Sequence, residues 1–249
     1  YLTSDMSQVG NYEQSQKILK LSYTLITSLG TVMTPRIASV LSNNNKEKVE
    51  EYLAKSINFV FFLGIPLTLG VMSVAKTLVP WFLGEEFSLS VSILMTGSLL
   101  IIAKGFTDVA GVQYLIPSRN QAIFTKSVVT GAILNVVLNF ILIPICGAIG
   151  AIIASVIAEV AIAIVQYYYV KKQINIQIFT KAYLKYIVSG VLMFLTVYVM
   201  GIFMETTIIT TILQICVGGI IYIGSLLIMK DKFLCERLDK ILRTLKIKK

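Results

Sequence analysis

Residues 131–170 read GAILNVVLNFILIPICGAIGAIIASVIAEVAIAIVQYYYV, and the fold turns on this stretch. It holds two apolar runs, each close to the roughly 20 residues a helix needs to cross a bilayer. Pro144 and the glycines Gly147 and Gly150 separate them, a combination that stops one helix and lets the chain reverse tightly before the next. The stretch therefore predicts a hairpin of two spanning helices. The first limb carries Asn135 and Asn139. The second is lined with Ala151, Ala154, Ser155, Ala158 and Ala161 and buries a carboxylate, Glu159.

The same character extends over the whole chain. Of its 249 residues 56% are hydrophobic and only 14% charged, against about 25% charged in soluble domains. The mean hydropathy is +0.80. This composition predicts an all-α, polytopic membrane bundle, and its length accommodates about seven spans. The net charge of +9 reads as a topology signal, because Lys and Arg are retained on the cytoplasmic side; nucleic acid is not expected as a partner. The three cysteines have no paired spacing and histidine is absent, so neither a disulfide framework, a metal site nor a cofactor is expected. Tyr1 opens the chain and no signal peptide follows it, which leads us to expect a piece of a longer protein.

Outward from the hairpin, the expected spans are 18–41, 57–79, 89–115, the two hairpin limbs, 183–204 and 207–229. Val9 to Tyr12 reads as a turn into the first span, and residues 49–56 as a short interfacial helix. The first span is threaded with Ser22, Thr24, Thr27, Ser28, Thr31 and Thr34; a helix so rich in hydroxyls packs inside or lines water. Residues 230–249 space Leu234, Leu238, Ile241, Leu242 and Leu245 helically among basic residues, predicting an amphipathic helix on an anionic leaflet. With the C-terminus inside, every Lys and Arg except Lys17, Lys20, Lys76 and Lys104 falls on the cytoplasmic side. Three parts are expected: residues 1–170, a helix pair at 171–229 and a cytoplasmic tail at 230–249.

Chemistry concentrates in three intramembrane ions, Lys104, Asp108 and Glu159. An ionised group at a helix centre costs about 2.5–3.5 kcal/mol on insertion scales, so each needs a partner or a polar cavity. Lys104 and Asp108 are four apart and share a helix face. They form either a self-contained ion pair or a site where Lys104 attracts an anionic substrate group. Glu159 has no cation in its own helix. It is either a protonated acid bonded across to an asparagine of the first limb or a proton-coupling or substrate-contact site, and Asn135 and Asn139 are read first as interhelical ties.

Four stretches carry a family resemblance: Val9-Gly10-Asn11-Tyr12 with Gln16-Lys17-Ile18; Met33-Thr34-Pro35-Arg36-Ile37; Val79 to Gly84 with Phe87 and Ser90; and NVVLNFILIPICGAIGAIIASVIAE from Asn135 to Glu159. Together they resemble the C-terminal half of bacterial polysaccharide flippases of the multidrug/oligosaccharidyl-lipid/polysaccharide exporter superfamily. The resemblance implies a transporter of roughly fourteen spans. Residues 1–170 would then supply five helices of its second lobe and 171–229 an appended pair, with a missing N-terminal half as partner. It further implies that the whole protein flips lipid-linked oligosaccharide repeat units across the bacterial plasma membrane for capsule, O-antigen-like or exopolysaccharide assembly, among membrane lipids and without enzymatic chemistry. By residue type, Lys104, Asp108 and Arg36 are the substrate-cavity candidates, and Glu159, Asn135 and Asn139 the coupling or interhelical candidates. A multidrug/cation antiporter of the same superfamily and a membrane polysaccharide polymerase are the alternatives. The polymerase is disfavoured by the short outside loops.

Overall fold

The structure, a computed structural model, describes residues 6–175, 181–231 and 233–235. The first helix, α1, runs Met6–Ser42 and is longer at its N-terminus than the sequence suggests. Val9 to Tyr12 is helix, not a turn. Asn11 is the reason: its side-chain amide donates to Ser7 O at 2.9 Å, and its Oδ1 accepts from Ser90 N at 3.0 Å. That tertiary bond holds the polar first turns helical and fastens them to the start of α3. Asn44 turns the chain in the left-handed region, with φ of 53°. Asn45 then caps α2, accepting from Lys48 N at 3.1 Å, the usual service of an asparagine to the unpaired first-turn N–H groups.

Helix α2 runs Lys46–Phe82 without interruption. The separate interfacial helix expected at 49–56 is therefore simply its first turns, whose Val49 and Leu53 are buried and need the same register as the span above. After Gly84 and a short 3₁₀ turn, α3 (Ser88–Gly97) and α4 (Leu99–Thr107) form one bent element, with a 43° bend at Ser98. α4 runs on into a π-helical segment, Asp108–Leu115.

The stretch 131–170 lies in α5, Gln121–Gln173. Its two limbs meet at Gly147, whose φ of 57° and ψ of −135° belong to glycine alone. The limbs fold back on each other. Gln166 donates to Ser127 Oγ at 3.0 Å, Gly131 leaves room for Ile162, and Gly150 sits against the carbonyl of Leu142. Among the described residues, by length and apolarity, five helices reach spanning dimensions, or six with the bent α3–α4 pair, as against the seven read from sequence. α5 counts once in that tally because its limbs form one run through the kink.

The last pair, α6 (Lys181–Phe203) and α7 (Ile208–Ile228), packs on α2. A fully buried amide makes the join: Gln214 accepts from Thr77 Oγ1 at 2.5 Å and donates to Val197 O at 3.0 Å. Trp81 donates to Thr211 at 2.8 Å beside it, and Tyr222 donates to Phe62 O at 2.8 Å further along α2. Leu19, Ile26, Ile57, Ile93, Ile101 and Ile152, all essentially inaccessible, form the core between α1, α2, α3–α4 and the second limb of α5. The basic tail expected over 230–249 falls, from residue 236 on, outside the described residues. Its beginning is anchored: Asp231, buried, accepts from Tyr186 OH at 3.3 Å and from Leu234 N at 3.0 Å.

Candidate functional site

The core positions α4 against the second limb of α5, and Lys104 and Glu159 meet across that contact. Lys104 Nζ lies 2.5 Å from Glu159 Oε2, the lysine side chain 38% exposed and the glutamate 9%. Thr107, one turn along α4, donates to Glu159 Oε1 at 2.7 Å. Two sequence expectations are corrected here. Lys104 does not pair with Asp108, because its ammonium crosses to the neighbouring helix. Glu159 is not bonded to an asparagine of the first limb, because a lysine and a threonine of α4 occupy its oxygens.

Asp108 turns the other way. Its carboxylate accepts from Gln113 Nε2 at 2.8 Å, and Gln113 Oε1 in turn accepts from Ser56 of α2 at 2.7 Å. On the opposite side it fills the space left by Gly30 of α1, where a Cβ would stand 2.6 Å from Oδ2. Asp108 is thus a tie among three helices. Ser56 and Gln113 are functional neighbours that sequence reading missed; their signal was a serine and a glutamine buried in otherwise apolar stretches.

Of the two asparagines, only Asn135 reaches across to the second limb. Asn139 donates to Asn135 Oδ1 at 2.9 Å, and Asn135 approaches Ser155 of the second limb at 3.4 Å. Tyr12 of α1 reaches the same Ser155 at 3.4 Å, and Gln8 accepts from Ala148 N at 3.1 Å. These side chains surround a cavity of about 460 Å³ between the start of α1 and the hairpin, and the buried Oδ1 of Asn139 has no partner there. Arg36 stands apart from all of these groups, exposed near the end of α1. Among the described residues no three of His, Cys, Asp and Glu come together as a metal site.

One face of α1 has no cover. Glu13, Lys17, Lys20, Thr24, Ser28 and Thr31 recur at three- and four-residue spacing and are all exposed, forming a single stripe along the helix. The hydroxyls bond their own backbone, Thr24 to Lys20 O at 2.7 Å, Ser28 to Leu25 O at 2.8 Å and Thr31 to Ser28 O at 2.7 Å. That pairing satisfies the donors and leaves the oxygens' remaining lone pairs and the two lysines facing outward.

The matches to known proteins agree with this architecture. Residues 3–92 match the family described as polysaccharide biosynthesis protein. Over 176 residues the chain is 24% identical to the probable low-salt glycan biosynthesis flippase Agl15 of Haloferax volcanii, covering 69% of this chain and 36% of that protein. It is 25% identical over 156 residues to a putative O-antigen transporter of Shigella dysenteriae, covering 63% and 38%. With the lipid II flippase MurJ of Bacillus subtilis it shares 25% over 246 residues, 92% of this chain and 45% of that one. The chain is thus similar in sequence to proteins named as flippases and O-antigen transporters. A solved lipid II flippase MurJ, in an inward closed conformation, superposes on the chain with a TM-score of 0.79 at 18% identity, over 92% of this chain and 49% of that one; the fold is shared. The chain spans less than half the length of these proteins. The family-matched region 3–92 contains α1, α2 and the beginning of α3, and the Lys104–Glu159 contact lies beyond it.

Proposed function

We propose that this chain is the C-terminal part of a transporter that flips lipid-linked oligosaccharide repeat units across the bacterial plasma membrane for polysaccharide assembly. In this reading residues 1–170 belong to the second of two lobes, 171–229 are an appended helix pair, 230–249 lie on the cytoplasmic surface and the preceding portion supplies the first lobe. The observation that carries the reading is the uncovered polar stripe of α1. Lysines and hydroxyls along a spanning helix do not face lipid when a wetter alternative exists, and a water-filled cavity against a second lobe supplies one. A positive stripe suits a substrate whose sugars are joined to lipid through phosphate. Arg36, exposed near the end of α1, adds a further positive charge.

The test is uptake of a lipid-linked oligosaccharide analogue into inverted vesicles carrying the full-length protein. The expected result is uptake that falls at least tenfold when Lys17 and Lys20 are both replaced by Gln. Efflux of cationic drugs with no movement of the glycolipid refutes the reading in favour of an antiporter.

A further inference from the structure

The π segment at Asp108–Leu115 is bound into the fold by bonds that depend on its register. Its backbone shows the wide turn directly, Ile116 N donating to Gly111 O at 3.1 Å across five residues. The side chains follow the same spacing. Asp108 and Gln113, bonded at 2.8 Å, are also five apart. In an α-helix residues five apart point roughly 140° away from each other, so this bond exists only while the segment is π. Through Gln113 it also reaches Ser56 of α2, and through Asp108 it presses on Gly30 of α1. The connection between α1, α2 and this span is therefore a readout of helix register.

The other side of the segment is not satisfied in this register. Gly111 faces the hairpin, where a Cβ would stand 2.8 Å from Phe124 and 2.9 Å from Gln166 Oε1. Gln166 is 0% exposed, and although its amide donates to Ser127, Oε1 has no donor. A fully buried acceptor left open beside a helix of uncommon register marks packing that favours more than one arrangement. Single-turn π insertions concentrate at functional sites for the same reason: one residue of slack can be taken up or released.

We propose that Asp108–Leu115 is a register switch in the transport cycle. Conversion of the π turn to α-helix rotates the span from Gln113 onward by roughly 100° and advances it by about 1.5 Å. The Ser56–Gln113–Asp108 tie breaks, α1 and α2 are released from this span, and Gln166 Oε1 is open to the donor that the new register presents. The inference rests on the transporter reading above.

Two measurements on the full-length, reconstituted protein, with Cys146, Cys216 and Cys235 replaced by Ser, test it. Spin labels on Glu47→Cys and Arg119→Cys, both exposed positions, report the distance from the start of α2 to the end of the span beyond the π turn. The switch gives two distance populations, and Gln113→Leu shifts their ratio several-fold toward the one less occupied in the unmodified sequence. Deleting Val112 removes the residue of slack and abolishes flipping of the lipid-linked oligosaccharide. A single distance in both the parent and the Gln113→Leu protein overturns the proposal, as does wild-type flipping by the deletion protein. Should the deletion fail to fold, the distance measurement decides alone. Two distances in a protein that flips no glycolipid keep the switch and refute the flippase reading.

Discussion

Breaking the Lys104–Glu159 pair should cost more than removing either residue's neighbours, and only a paired replacement should recover the loss. Replacing Lys104 with Met leaves Glu159, 9% exposed, with only the Thr107 hydroxyl for company. Removing one partner of a buried ion pair typically costs about 3–5 kcal/mol. The 38% exposure of Lys104 lowers this, since its end of the pair is already partly solvated. We therefore expect about 2–3 kcal/mol for Lys104→Met. Glu159→Gln can keep only one of the two accepted bonds, since its amide NH2 donates and does not accept, and leaves a membrane lysine without its anion; about 1–2 kcal/mol is expected. Lys104→Met with Glu159→Gln together should cost less than the sum, with a coupling of about 1–2 kcal/mol, well above the ~0.6 kcal/mol average for a polar contact between membrane helices. The assay is reversible unfolding in mixed micelles, run as a double-mutant cycle. Additive singles, or a coupling of Lys104 to Asp108→Asn as large as that to Glu159, would refute the cross-helix pairing.

Three further outcomes follow from single contacts. Gly147→Ala places a side chain at φ 57°, ψ −135° against Gln8, and a loss of about 1–3 kcal/mol is expected in the same unfolding assay. Gln214→Leu removes one bond from Thr77, whose hydroxyl keeps Val74 O, and one from the Val197 carbonyl; at about 0.5–1.5 kcal/mol per hydrogen bond, it should loosen α6–α7 from α2, seen as faster cleavage in the 204–207 connection by an added protease. Gly150→Ala drives a Cβ into the Leu142 carbonyl and should lower folded yield sharply, whereas Gly219→Ala, with nothing within 4 Å of the added carbon, should leave yield unchanged.

The hairpin was legible because its signals are local. Pro144, Gly147 and Gly150 act within a few residues of themselves, and small residues along the second limb permit the close approach that Gly131 and Ile162 then make. The extent of α1 was not legible, since Asn11 looks like a turn residue until Ser90, distant in sequence, donates to its side-chain oxygen and fastens those turns as helix. Likewise nothing near Gln214 in the sequence announces Thr77 of α2 as its donor. Polar residues in apolar helices report that a partner exists and leave its identity to the packing.

The ion assignments show the same limit in its sharpest form. Reading Lys104 with Asp108 assumes that one helical register continues through both, and the assumption fails at the second residue: Asp108 begins the π segment and its carboxylate is taken by Gln113. Once Asp108 is committed there, Lys104 has a short path to only one other intramembrane carboxylate among the described residues, Glu159, and the two separately puzzling charges become one neutral pair. A net-neutral pair costs far less to keep in the bilayer than two isolated ions, which explains how α4 and the second limb of α5 each tolerate a charge. It also moves the weight of substrate attraction elsewhere. A lysine already engaged by Glu159 attracts an anion weakly, whereas Lys17 and Lys20 on the uncovered face of α1 have no such carboxylate on their inward side, Lys17 pairing only with the exposed Glu13 at 3.1 Å. If a phosphate-bearing substrate is drawn to this half of the protein, α1 should carry more of the effect than α4, and neutralising Lys17 and Lys20 should depress glycolipid uptake more than Lys104→Met does in protein matched for folded amount.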